Sequence, residues 1–427
     1  MTDPRDGRLG EVVRPDPPGL RVVLDARPLQ TPERSPLGAT YLAGLLGAFD
    51  DAPLRGESFA FLLGSDLDDP TVAYRRLSVV GRRQLPPTRL LRSGSMTLDP
   101  FLLRGAELGI AWRAERGGAA GAVYHAIGGA SLPIASDLPV VVTLLDLAPW
   151  ELPEAFARSV AARFGQRLRG QLLRDAARVI VGSEATARAA RRLLRLRRDR
   201  VRIVPVAPRA AFATPVRDVE RGAAAGLRAR LGLDERYLVF SGRFDARLDV
   251  GTLLGALASL ASQGRPADLA EDVPWPPRVL VVGASPDDRA AVARLAARRS
   301  IGEALAYAPG LPDEDLAALM RGARATILPV LSEAVGLPVI EALAAGTPVV
   351  ASAVGPLPEL VGRAGLLVEP RDPGRLAVAI ATIWSDDTVH SGLAAAAGER
   401  AKPARTWADV AAETRAVYAE VGIRARR

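Results

Sequence analysis

Residues 327–352 read ILPVLSEAVGLPVIEALAAGTPVVAS. An apolar run, a loop holding Ser332, Glu333 and Gly336, a helix-compatible stretch and a second apolar run follow one another. Pro338 suits a first helical turn, where its missing N–H leaves no bond unmade. Gly346 suits the helix end, and Pro348 blocks continuation. The stretch therefore predicts strand, loop, helix and strand, the repeating unit of a parallel sheet. Gly336 permits close approach of a ligand to the backbone. The free N–H groups of the helix start favour an anion, with a diphosphate the obvious one. Glu333 and Glu341 flank that start. Carboxylates beside phosphate repel it, so these two are expected to face hydroxyls, for which an ionised carboxylate is an acceptor. An anion between polyol-binding carboxylates describes a nucleotide-sugar.

The same alternation runs outward in both directions. Apolar runs predict strands at 21–25, 59–63, 77–80, 123–126, 140–145, 179–182 and 201–206, then at 237–241, 279–283, 304–308, 325–329, 348–351 and 366–368. Near-continuous apolar runs mark strands buried on both faces. Thirteen strands exceed one comfortable open sheet, so two doubly wound α/β domains are expected. The division is a lead-in without order at 1–20, a first domain at 21–206, a linker at 207–232, a second domain at 233–405 and a terminal helix at 406–427. That helix is placed for packing back on the first domain. Residues 261–278, with Pro266, Pro274, Pro276 and Pro277, read as an inserted loop. Ligands of open α/β sheets bind beyond the carboxyl ends of the strands, here in a cleft between two domains.

Composition narrows the function classes. The 427 residues hold no cysteine and two histidines, which excludes disulfides, cysteine nucleophiles and Cys-based zinc sites and disfavours a His-rich metal centre. Net charge is +8, almost all arginine, with Lys402 the single lysine; aromatics are 5%. That is too few for base stacking, and the charge is spread along the chain, so nucleic acid is not the expected partner. No run is apolar enough for a signal peptide or a membrane span, and a cytoplasmic protein is expected.

The two glutamates eight positions apart, in SEAVGLPVIEALAAGTPVVAS, resemble the E-x7-E signature of retaining glycosyltransferases of family four, nucleotide-sugar enzymes with the GT-B fold of two facing Rossmann-like domains. Further segments resemble the family in order: LDARPL at 24–29, VIVGSE at 179–184, 203–206, SGRFDAR at 241–247, 309–318 and 406–418. The resemblance implies that Glu333 contacts donor-sugar hydroxyls and Glu341 holds the ribose. It implies that the backbone N–H groups of Gly336 and Leu337, next to Pro338, face the donor. Arg243 and Arg247 are placed on the diphosphate, and Gly38 in a glycine loop of the first domain near the reaction centre. Such enzymes transfer a hexose such as mannose or glucose from a UDP- or GDP-sugar with retention, by a front-face route without a protein nucleophile. No metal is required, since arginines and a helix start meet the diphosphate charge.

Two positions depart from the family. Leu248 stands where a diphosphate-gripping lysine usually follows the loop arginine, and Leu145 stands where a histidine usually faces the donor sugar. His125, at the end of an earlier strand, is a candidate to reach the same cleft. Two readings follow: an active glycosyltransferase of polysaccharide, glycolipid or envelope-glycan synthesis, or a non-catalytic nucleotide-sugar-binding or partner subunit. The acceptor is expected to be a sugar, glycan or lipid-linked molecule. The Arg-rich runs at 158–174 and 188–200 fit peripheral contact with anionic membrane at the inner face.

Overall fold

The computed structural model describes residues 20–86, 103, 121–128, 132–214, 218–242, 244–402 and 404–422. Of the lead-in expected at 1–20, residues 1–19 lie outside these. The first sheet contains β1 (Leu20–Asp25), β2 (Ser58–Gly64), β3 (Val79–Leu85), β4 (Gly121–Ile127), β5 (Val140–Thr143), β6 (Arg178–Val181) and β7 (Val201–Ile203), in the order 3-2-1-4-5-6-7. The second contains β8 (Leu238–Ser241), β9 (Val279–Val282), β10 (Leu305–Ala308), β11 (Ala325–Leu328), β12 (Val349–Ser352) and β13 (Gly365–Val368), in the order 10-9-8-11-12-13. Every pairing within the two sheets is parallel. Strand direction of growth reverses between β1 and β4 and again between β8 and β11, which makes a crevice at the carboxyl ends of each pair.

Each expected strand has a counterpart, with ends shifted by a few residues. The largest shift is β3, whose sequence VVGRRQL carries two arginines and is largely exposed. It lies at the sheet edge, where charge blocks further pairing, so its apolar run reports only its beginning.

The segment expected as a linker is mostly part of the second domain. Helices Ala210–Ala213 and Asp218–Arg230 lie there, and Phe212, Leu227 and Leu233 join the core around Tyr237. Its alanines and arginines are good helix formers, which is why strand signals stop there. Val204, Val206 and Ala207 belong to the first-domain core, so the crossing is confined to a few residues around Pro208.

The terminal helix Trp407–Gly422 lies on the first domain. Trp407 meets Tyr41 edge-on at 5.4 Å and donates its indole N–H to the Pro208 carbonyl at 3.1 Å. Gly44 makes room for it, since a Cβ there would overlap the indole. Arg405 donates to the Pro205 carbonyl at 2.7 Å, so the returning chain crosses beside the outgoing one.

Candidate functional site

The quoted stretch supplies β11, an eight-residue loop, the helix Leu337–Ala344 and β12. Gly336 is its N-cap in the left-handed region at φ 75°, ψ 32°. A Cβ there would stand 2.6 Å from Leu360 Cδ1 and 3.0 Å from Leu357 Cδ2, so conformation and space both require glycine. Pro338 lies in the first turn, and the Leu337 N–H has no intrahelical acceptor. Glu333 Oε1 accepts the N–H groups of Ala334 at 3.0 Å and of Val335 and Gly336 at 2.9 Å. The loop thus forms an anion nest, filled by a carboxylate of its own chain. The sequence points Glu333 toward hydroxyls and the Gly336 N–H toward a ligand; in the structure the two satisfy each other.

Gly355 sets the position of this loop. At φ 52°, a Cβ on it would overlap the Glu333 carbonyl oxygen. Gly355→Ala is expected to lose about 1–2 kcal/mol from the left-handed backbone alone, and more from displacing Glu333. An unchanged urea midpoint would dismiss that account.

Glu341 is 2% exposed, five residues into the helix. It is held by Arg209, whose Nε donates to Oε1 at 2.5 Å and whose Nη2 donates to Oε2 at 2.8 Å. Arg209 also pairs with Asp313 and stacks over Phe212 at 4.8 Å. Burial raises the Glu341 carboxyl above its usual range, against the pull of Arg209. Glu341 is therefore half of a bidentate ion pair with a residue at the domain crossing, which the sequence did not reveal. Only its lone pairs directed away from Arg209 remain for a ribose hydroxyl.

Arg247 stands at the β8–β11 crevice. Its Nε donates to Asp245 Oδ1 at 3.0 Å, and its Nη1 lies 3.0 Å from Asp146 Oδ2 of the first domain. Burial alone would lower its pKa; Asp245, Asp146 and Glu333 more than reverse that, keeping the guanidinium charged. The Arg247 carbonyl accepts the Leu331 N–H at 2.7 Å, and Leu248 bridges Val330, so the two loops beyond β8 and β11 are stitched together. Leu248 lies over Gly242, its Cδ2 3.4 Å from where a Cβ would be. Arg243 lies outside the described residues.

The opposing face comes from the first domain. Gly38 is buried in the first turn of the helix Pro36–Asp51, in a helix where the sequence suggested a loop. Gly128, after β4 at φ 64°, is the point of convergence: a Cβ there would lie 3.5 Å from Gly38 Cα and 3.4 Å from Leu145 Cδ1. Leu145 belongs to one apolar cluster with Val335 and Leu337 across the cleft. Thr186 Oγ1 donates to the Ala334 carbonyl at 2.7 Å, and Ser332 Oγ donates to Glu151 at 2.5 Å. The Glu333 loop is thereby docked on the first domain.

His125 does not reach the cleft. Fully buried, it bonds Tyr418 Oη through Nδ1 at 2.7 Å and Thr143 Oγ1 through Nε2 at 2.8 Å, tying the terminal helix to the sheet. Burial pushes its pKa down to about 3. The unfolded chain takes up a proton near pH 6.5 and the folded one near 3, so this histidine's contribution is full above 6.5 and is lost as pH falls toward 3. His125→Gln is expected to flatten the fall in melting temperature between pH 6.5 and 4; an identical slope in both proteins would refute it.

Two facing Rossmann-like domains, with Arg247, a helix start and the Glu333 nest at the crevice of the second, have the architecture of the GT-B fold. Residues 227–403 match the family described as Glycosyl transferases group 1. Two curated relatives are D-inositol 3-phosphate glycosyltransferases: that of Jonesia denitrificans, 32% identical over 281 residues (64% of this chain, 62% of that one), and that of Streptomyces scabiei, 36% identical over 202 (45% and 44%). A third is the MMP alpha-(1->4)-mannosyltransferase of Mycolicibacterium hassiacum, 38% identical over 128 residues (29% and 31%). The chain spans 44% and 62% of the length of the first two. In structure it is similar to sucrose-phosphate synthase from Thermosynechococcus elongatus (TM-score 0.68, 21% identity, 94% of this chain and 98% of that one) and to Anabaena HepE in complex with UDP (0.65, 17%, 94% and 100%). The match to that family is confined to residues 227–403, within a chain whose two parallel-sheet domains have the GT-B fold.

Proposed function

We propose that this protein is a retaining glycosyltransferase moving a hexose, mannose or glucose, from a UDP- or GDP-sugar to a sugar, glycan or lipid-linked acceptor. The observation that carries the reading is the convergence of Arg247, the Glu333 nest and the Leu337 helix start at the β8–β11 crevice. The names of the relatives agree with transfer of a sugar, and two of them specify a phosphorylated polyol as acceptor.

The nest explains how one glutamate serves two states. Without donor, Glu333 Oε1 fills the anion position. A donor phosphate competes for the Ala334–Gly336 N–H groups and turns the carboxylate out toward the sugar hydroxyls. Arg247 offsets charge gathering on the leaving diphosphate, an electrostatic contribution that grows as the bond breaks. Glu341, held by Arg209, accepts from the ribose. Entry of the donor requires the Ser332 and Thr186 contacts to part, and closure around it excludes water. No metal is needed in this account.

The test is to incubate the full chain with UDP-, GDP- and ADP-sugars and polyol phosphate acceptors, following nucleoside diphosphate release and product anomer by NMR. Retained configuration and turnover persisting in excess chelator support the reading. Inversion, or activity abolished by chelator and rescued by a divalent ion, contradicts it. Binding without turnover favours the non-catalytic subunit, with Leu145 and Leu248 as its marks.

Contact with anionic membrane has one specific support. On the helix Val160–Asp175, Val160 is 74% and Phe164 55% exposed, rimmed by exposed Arg158, Arg163 and Arg167. Co-sedimentation with phosphatidylserine vesicles at low salt is expected, weakened by Phe164→Ser. Absence of co-sedimentation of the wild type would rule the contact out.

A further inference from the structure

Arg169, on the inner side of the same helix, donates from Nη2 to the Gly128 carbonyl at 2.5 Å. That carbonyl belongs to the convergence point already described, where Gly128 meets Gly38 and Leu145 beyond β1, β4 and β5. Leu145 is followed directly by Asp146, the carboxylate that reaches across to Arg247 Nη1 at 3.0 Å. Burial lowers the Arg169 pKa while the charge of Asp146 raises it. A half-buried guanidinium at the ligand-binding end of a sheet carries a desolvation cost, which an anionic ligand offsets.

We propose that Arg169 and Arg247 form a two-arginine clamp across the cleft, which closes on the diphosphate of the sugar-nucleotide, with Asp146 their shared counter-ion while the site is empty. This rests on the glycosyltransferase reading and deepens it. Arg169 supplies, from the first domain, the second positive charge that Leu248 does not provide in the loop beyond β8. Leu145, beside the Arg169-bound Gly128, packs in one apolar cluster with Val335 and Leu337. The clamp holds the diphosphate only when the domains are together, so binding the second phosphate and closing the cleft are one event.

The measurement is calorimetric titration of the full chain with UDP, GDP and ADP and with the matching monophosphates. For the preferred base, the wild type binds the diphosphate more tightly than the monophosphate. Arg169→Met is expected to weaken the diphosphate roughly ten- to hundredfold, the scale of one charged hydrogen bond, and to leave the monophosphate unchanged. Unchanged monophosphate binding also shows that the variant is folded. Arg169→Lys keeps part of the difference, and adding Leu248→Lys to Arg169→Met restores part of it. Equal weakening of both nucleotides, or an intact difference in Arg169→Met, overturns the clamp while leaving the parent reading in place. If the wild type binds no nucleoside diphosphate, the parent reading fails and the clamp with it.

Discussion

Arg247→Met is expected to lower the rate of sugar transfer by roughly 10²–10³-fold, with most of the loss in kcat, the scale of removing one preorganised charge donor at a developing anion. Arg247 is preorganised in a specific sense. Asp245 fixes the guanidinium through Nε and Nη2, and the loop carrying both is bridged to the Glu333 loop through Leu248 and Val330. Nη1 is directed across the cleft, where Asp146 now holds it. A diphosphate arriving there meets a cation already oriented, so little reorganisation accompanies bond breaking. Folding is expected to suffer much less, because removing Arg247 leaves two partly exposed carboxylates that water can solvate. Steady-state kinetics with a thermal melt on the same sample separates the effects, and near-wild-type turnover in a folded variant would remove Arg247 from the mechanism.

The second large effect is on stability. Arg209→Ala is expected to cost about 3 kcal/mol, the lower end of the range for breaking a buried ion pair, since Arg209 is itself partly exposed. The loss comes from Glu341, left in the second-domain interior with no cation. Because burial already raises its pKa, the variant is expected to recover stability as pH falls and the carboxyl is neutralised. The sign follows from linkage: with a folded pKa above the unfolded one, the folded state binds the proton more readily, and stability gained at low pH is lost as pH rises through the folded value. Adding Glu341→Gln to Arg209→Ala should return most of the loss, and a double-mutant cycle in urea measures the coupling. A coupling near zero would show that the two groups do not depend on one another.

Much of the architecture could be read from the sequence, because strands buried on both faces are written as apolar runs and each helix between them begins and ends on small signals. Pro338 and Gly346 marked the Leu337–Ala344 helix to within two residues. The edge strand β3 was only half readable, since exposure removes the apolar signal. Helices such as Asp218–Arg230 show alanine and arginine and no strand pattern, so the sequence alone reads that stretch as a linker. The site was readable as residue types and spacing along one segment, and unreadable as partnerships. Arg209 lies 132 positions from Glu341, one arginine in a chain with 56 Lys and Arg, and nothing local distinguishes it. Gly355 was silent for a similar reason: its need for glycine comes from the Glu333 carbonyl packed against it. His125 lies near the end of β4 but its side chain points to the terminal helix, and position near a strand end does not fix which face a side chain takes.

The proposed function places a nucleotide-sugar in the crevice beyond β8 and β11. It is tested most directly by following thermal stability and heat of binding while the full chain is titrated with UDP-, GDP- and ADP-sugars, alongside Arg247→Met. A ligand that binds only the folded state raises the melting temperature by mass action. Saturable binding of the sugar-nucleotides of one base is expected, markedly weaker in the variant. Absence of binding by every donor, or equal affinity in wild type and Arg247→Met, contradicts it.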